Sequence, residues 1–315
     1  MPLSKSNTKP KPSNQTISSS RISFDAIGTE WEITIDDRIA HEALAMLRQR
    51  LTTRIEQFDH NYSRFRPDSL VSAMAKHPGT YQLPNDAQPL LDLYKKLYDC
   101  TNGAVTPLIG QLLSDAGYNA TYALKSRRLH APPTWSVALE YIYPKLIIKQ
   151  PALLDFGAAG KGYLVDIVAA IMHDAGLNNY CVNASGDILE RHTGGGSRSV
   201  GLEHPDHSDE VIGIAELHNQ SICGSAGNKR AWRSFTHIMD PSTQASPRAI
   251  KATWVIAETT LLADGLATAL FFTEARALKK TFDFEYTIIY QDDALVHSEA
   301  FPATYYTEQR REYSA

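Results

Sequence analysis

Cysteine is scarce in this 315-residue chain: Cys100, Cys181 and Cys223 stand alone at wide spacing. The number is odd, and no two have the spacing of a zinc ligand pair or a redox motif. Neither a disulfide framework nor a metal cluster is indicated. Each lies among apolar neighbours, where a thiol behaves as a small hydrophobe. Long apolar runs are missing too. Stretches such as Ile167–Met172 fall far short of the ~18 residues that a membrane helix needs. No run of Lys or Arg appears, and 31 basic residues face 35 acidic ones for a net charge of −4. A nucleic-acid binder would show a basic stretch. Neither a membrane nor a nucleic-acid partner is expected.

What is present is ordinary globular composition, 43% hydrophobic and 21% charged. That is enough chain for one large domain or for two halves around a cleft. Residues 1–20 differ from the rest, being rich in Ser, Lys and Pro and poor in apolar groups. Such a segment cannot bury enough surface to offset its ordering entropy, so a disordered tail is expected. It has neither the apolar core of a secretory signal nor a Cys to carry a lipid, and a cytoplasmic location is the expectation. The folded part is expected to span 21–315.

Mixed periodicities then point to an α+β fold. Residues 23–35 read as two short strands around Gly28-Thr29. Asp36 or Asp37 is expected to cap a helix with Leu44, Leu47, Leu51, Ile55 and Phe58 on its buried face. A polar loop, 61–72, leads to a helix over 89–100. Residues 153–155 read as a strand end, followed by a tight loop and a helix stopped by Gly176. Strands over 180–183, 210–217 and 253–257, a helix over 260–273 and a hairpin over 286–297 complete the pattern.

Four segments carry possible chemistry. In Asp155-Phe-Gly-Ala-Ala-Gly-Lys-Gly162 a glycine-rich loop with Lys161 opens a helix, a setting suited to phosphate. It is neither a Walker A loop nor a dinucleotide fingerprint, and an ordinary tight turn with a surface lysine reads as well. Val182-Asn-Ala-Ser-Gly-Asp187 suits a turn or a close ligand approach equally. His237, leading into Asp240-Pro241, has the pKa range of a general base, although most histidines are surface or packing residues. Asp264 and Thr268 project from one helical face four residues apart. They are hard oxygen donors suited to Mg²⁺, or else a helix-start carboxylate and a back-bonded hydroxyl.

Taken in order with Ile27-Gly-Thr29, Ser63-Arg-Phe-Arg-Pro-Asp-Ser69, Asn102-Gly-Ala104 and Ser225-Ala-Gly227, these segments resemble the FAD:protein FMN transferase family, also called the ApbE family. The resemblance runs from about residue 23 to 304. It implies a single T-fold-like α+β domain of two lobes with a FAD cleft between them. It also implies Mg²⁺, FAD as substrate, and transfer of FMN to a Ser or Thr hydroxyl of a client flavoprotein with release of AMP. By position, Asp264, Thr268 and the carbonyl of Ala158 match metal ligands, and His237 the catalytic base. Lys161 matches a position near FAD, and Asp155 an adenine-side contact. Ile27 and Phe65 match residues sandwiching the isoalloxazine, and Ala104, Val105 and Thr106 a FAD-contacting turn. Some similar proteins hydrolyse FAD to FMN and AMP instead, and a non-catalytic flavin-binding protein is the third reading. The chain departs from the family pattern at Ala158-Ala159-Gly160, where Gly-Ile-Ala is usual. It departs again at Val105-Thr-Pro-Leu108, at Thr243-Gln244 and at Asn228.

Overall fold

The computed structural model describes residues 19–306. The expected tail therefore lies outside the described residues except for its last two. Of these, Ser20 belongs to the fold, because it opens the first strand and pairs with Ile35. Strand β1 (Ser20–Ala26) and β2 (Thr29–Ile35) form a hairpin. Its two turn residues, Ile27 and Gly28, both have positive φ, 45° and 76°, the handedness that matches strand twist in a two-residue turn. Isoleucine is a poor residue for that region because its branched Cβ crowds the backbone.

Six further strands continue one antiparallel sheet in chain order. They are β3 (Tyr180–Ala184), β4 (Asp187–Arg191), β5 (Ser221–Ala226), β6 (Ile250–Ala257), β7 (Glu285–Tyr290) and β8 (Leu295–His297). Each pairs with its predecessor, so the eight strands form a meander. Both faces are covered, which is why β6 is buried without a break from Ala252 to Ala257.

One face, with Trp31, Ile33, Val182, Cys223 and Val255, packs against helices. These are α1 (His41–Tyr62), α2 (Ala87–Cys100), α3 (Gly160–Asp174) and α4 (Thr260–Ala269). The other face, with Ile222, Trp254 and Ile256, meets Leu202, Ile212 and Leu217 of a three-stranded sheet. A third apolar cluster gathers Leu112, Tyr118, Trp232 and Met239 beside the short helix Gly110–Ala116.

The apolar spacing of α1 holds for Leu47, Leu51, Ile55 and Phe58, which are buried, while Leu44, expected with them, is only half-buried against the same core. Its expected cap does not. The helix begins after Ala40 without a side-chain cap, and Asp37 instead accepts the backbone N–H groups of Asn178 and Asn179. The loop over 61–72 turns helical at Leu70, where the Ser69 hydroxyl accepts from Ser72 N. Residues 153–155 belong to no strand, and Asp155 N donates to Pro107 O at 2.7 Å. Helix α4 ends at Ala269, short of the expected 273. Gly176, at φ 80°, follows the end of α3 as expected.

Candidate functional site

Helices α3 and α4 cross at Gly162, and that crossing brings the metal-type donors together. Gly162 N donates to Asp264 Oδ2 at 2.9 Å. One turn along α4, Thr268 Oγ1 lies 3.5 Å from the carbonyl oxygen of Ala158. The same peptide segment is held from α2, since Ala158 N donates to the buried Tyr94 hydroxyl at 3.1 Å. Asp264 is buried, and that burial, with the nearby Asp187 carboxylate, pushes its carboxyl well above the usual range. A carboxylate in that position gains from a cation. Carboxylate, hydroxyl and carbonyl together are hard oxygen donors, the set that suits Mg²⁺ rather than zinc.

Lys161 leaves the start of α3 toward β3 and β4. Its Nζ lies 2.5 Å from Asp187 Oδ2 and donates to Ala184 O at 3.0 Å. Burial pulls the ammonium down, but the Asp187 and Asp264 carboxylates outweigh it and hold its pKa above the usual value. Lys161 is therefore a fixed positive charge.

His237 follows the two-residue strand Phe235–Thr236, and its backbone N donates to Arg230 O at 3.1 Å. Its Nδ1 is buried without a hydrogen-bond partner. Burial, reinforced by the Arg230 guanidinium, pushes the imidazole down to about 4. The ring is uncharged near neutrality.

Asp155 forms a buried ion pair with Arg64 and also accepts Gly157 N at 2.7 Å. Phe65, next to Arg64 in the chain, packs against Tyr118 and Tyr122 with ring centroids 5.4 and 5.6 Å away. Ala104, Val105 and Thr106 follow a left-handed turn at Asn102-Gly103. The Thr106 hydroxyl accepts Leu108 N and caps the short turn that follows.

These segments meet at one cleft of about 800 Å³. Lining it are the residues that the resemblance matched to metal, base and FAD positions: Ile27, Phe65, Ala104 to Thr106, Asp155, Ala158, Lys161, His237, Asp264 and Thr268. The sequence reading missed Arg64, Tyr118, Tyr122 and Arg230, which also line it, and Asp187, which pairs with Lys161. Arg64 and Asp187 stand inside segments already noted. Tyr118 and Tyr122 sit in a loop with no periodicity to mark them.

An eight-stranded antiparallel sheet backed by helices defines a mixed α+β fold. The sequence profile of the ApbE family matches residues 27–288, and the chain belongs to that family. Over 271 residues it is 23% identical to the FAD:protein FMN transferase of Klebsiella pneumoniae strain 342, covering 78% of this chain and 75% of that one. Its fold is similar to that of the flavin transferase ApbE from Vibrio cholerae, with a TM-score of 0.75 at 21% identity, over 90% of this chain and 98% of the other. The ApbE protein of Thermotoga maritima superposes with a TM-score of 0.77 at 20% identity, over 90% and 97%.

Proposed function

We propose that this chain moves FMN from FAD onto a Ser or Thr hydroxyl of a client flavoprotein and releases AMP, with Mg²⁺ as cofactor. The observation that carries the reading is the convergence of Asp264, Thr268 and the Ala158 carbonyl in the cleft that also holds an uncharged His237. Among the described residues no cluster of three or more His, Cys, Asp or Glu forms a metal cage. A cation held by Asp264, Thr268 and Ala158 would therefore share its remaining positions with substrate oxygens, as Mg²⁺ commonly does. When bound, Mg²⁺ supplies charge neutralisation for a pyrophosphate that otherwise repels an incoming oxygen.

The chain's own groups divide the remaining work. His237 accepts the proton of the acceptor hydroxyl. The hydroxyl oxygen forms a bond to the FMN phosphorus, and the bond from that phosphorus to the bridging oxygen breaks. AMP leaves with the electron pair. Lys161, pinned by Asp187 and held protonated, would add fixed positive charge close to the phosphates. Phe65 and Ile27 offer the ring and the apolar side chain that would hold the isoalloxazine.

The test is AMP production from FAD followed by chromatography. AMP should appear with Mg²⁺, stop with EDTA and return when Mg²⁺ is restored. Free FMN in equal amount without a client would mark a pyrophosphatase using water at the same site. Flavin binding with no AMP under any condition would leave only a flavin-binding protein.

A further inference from the structure

Phe65, the ring on which the flavin of the proposed reaction would stack, meets Tyr118 edge-on and already carries two partners over its ring. The Arg64 guanidinium carbon lies 4.2 Å from its centroid. The ring of Tyr122 lies parallel to it, with 6° between planes and 5.6 Å between centroids. A flavin that stacks on Phe65 must replace one of them. Arg64 is fixed, because its side chain is 2% exposed and tied to Asp155. Tyr122 is 53% exposed and sits on the loop that follows the helix Gly110–Ala116.

Tyr122 also reaches the other wall. Its hydroxyl oxygen stands 3.7 Å from where a Cβ on Gly28 would be, so the ring spans the gap from Phe65 to the Ile27-Gly28 turn. The loop imposes this placement. Tyr122 and Leu124 both take left-handed backbone, φ 48° and 50°, which side-chain-bearing residues rarely adopt. The Asn119 side-chain oxygen holds that shape by accepting from Thr121 N and Ala123 N.

We propose that Tyr122 is a specificity-determining placeholder for the isoalloxazine: it fills the slot in the flavin-free protein and gives way, ring for ring, to the flavin of FAD. This rests on the flavin reading of the site given above. Phe65 keeps a parallel aromatic partner in both states, so its apolar face stays covered. The incoming ring must stack better than a phenol does, which favours a wide fused ring over a small aromatic headgroup. Aromatic pairing of this kind shifts an equilibrium about two- to tenfold.

Two variants and two ligands test it. Tyr122→Asn removes the ring while keeping a residue that tolerates left-handed backbone, and Tyr122→Phe keeps the ring without its hydroxyl. FAD affinity and association rate are read from flavin fluorescence, and affinity for ADP, which has no flavin ring, from calorimetry. Tyr122→Asn should bind FAD roughly two- to tenfold tighter and faster, Tyr122→Phe should match wild type, and ADP affinity should be equal in all three. FAD binding that is unchanged or weaker in Tyr122→Asn overturns the proposal and leaves the transferase reading standing. ADP affinity that moves in step with FAD overturns it as well, since the effect would then come through the loop. If all three proteins bind ADP but none binds FAD, the flavin reading of the site fails and the proposal falls with it.

Discussion

Gly162 and Asp264 meet where α3 crosses α4, joined by a 2.9 Å hydrogen bond from the Gly162 backbone to the Asp264 carboxylate. A Cβ on Gly162 would lie 2.2 Å from Thr260 O and 2.7 Å from Asp264 Cβ, so only glycine permits this approach. Gly162→Ala should therefore destabilise the fold by about 1–3 kcal/mol, the usual range for overpacking. It should also weaken Mg²⁺-dependent AMP release. At Gly160 the nearest atom to an added Cβ is Phe156 Cβ at 3.4 Å, an ordinary contact at a helix start. Gly160→Ala should be neutral or stabilising by under about 1 kcal/mol. Denaturant melts of the two variants check the contrast.

His237 makes a prediction about pH. Its folded-state pKa, pushed down to about 4, lies below the usual 6.5. Between those values the unfolded chain holds a proton that the folded chain does not. The contribution of this group to stability is therefore complete above pH 6.5 and lost as pH falls toward 4. Stability of His237→Asn should fall less steeply than wild type through that window. At neutral pH the same variant should release AMP roughly 10²–10⁴-fold more slowly, the range for a lost general base, with FAD affinity nearly unchanged. Loss of FAD affinity with turnover intact would contradict the assignment.

Arg64 and Asp155 form a buried pair, and Asp155 also anchors the start of the glycine-lysine loop through Gly157 N. Removing one partner leaves an uncompensated buried charge. Asp155→Ala should cost about 3–5 kcal/mol of stability, and melting temperature measures it. A loss under about 1 kcal/mol would show that the pair is solvated after all.

Local and nearby features were legible from the sequence. The 3.6-residue spacing of Leu47, Leu51, Ile55 and Phe58 states which face of α1 is buried, because one helix carries all of it. Asp264 and Thr268 share a face for the same reason. What could not be read depends on distant chain. Asp37 looks like a helix cap, yet the backbone of Asn178 and Asn179 takes its carboxylate. Residues 153–155 have a strand's composition, but the available partner is Pro107 O rather than a strand. The link from Lys161 to Asp187 needs β4 to be laid beside α3. Tyr122 is invisible for a further reason. Its position comes from left-handed backbone in a loop, and no hydrophobic pattern records that.

The most direct measurement is the intact mass of a client flavoprotein after incubation with this protein, FAD and Mg²⁺. Transfer predicts a gain equal to FMN less one water, with AMP released in matching amount. The gain should vanish when the client's acceptor hydroxyl is removed, by Ser→Ala or Thr→Val at that position. It should vanish also when the enzyme carries Asp264→Asn, whose amide keeps the shape of the carboxylate but not its charge. That variant should melt no lower than wild type, because a buried carboxylate has been relieved rather than a cavity opened. An unmodified client alongside equal FMN and AMP, or full modification by Asp264→Asn, would contradict the account.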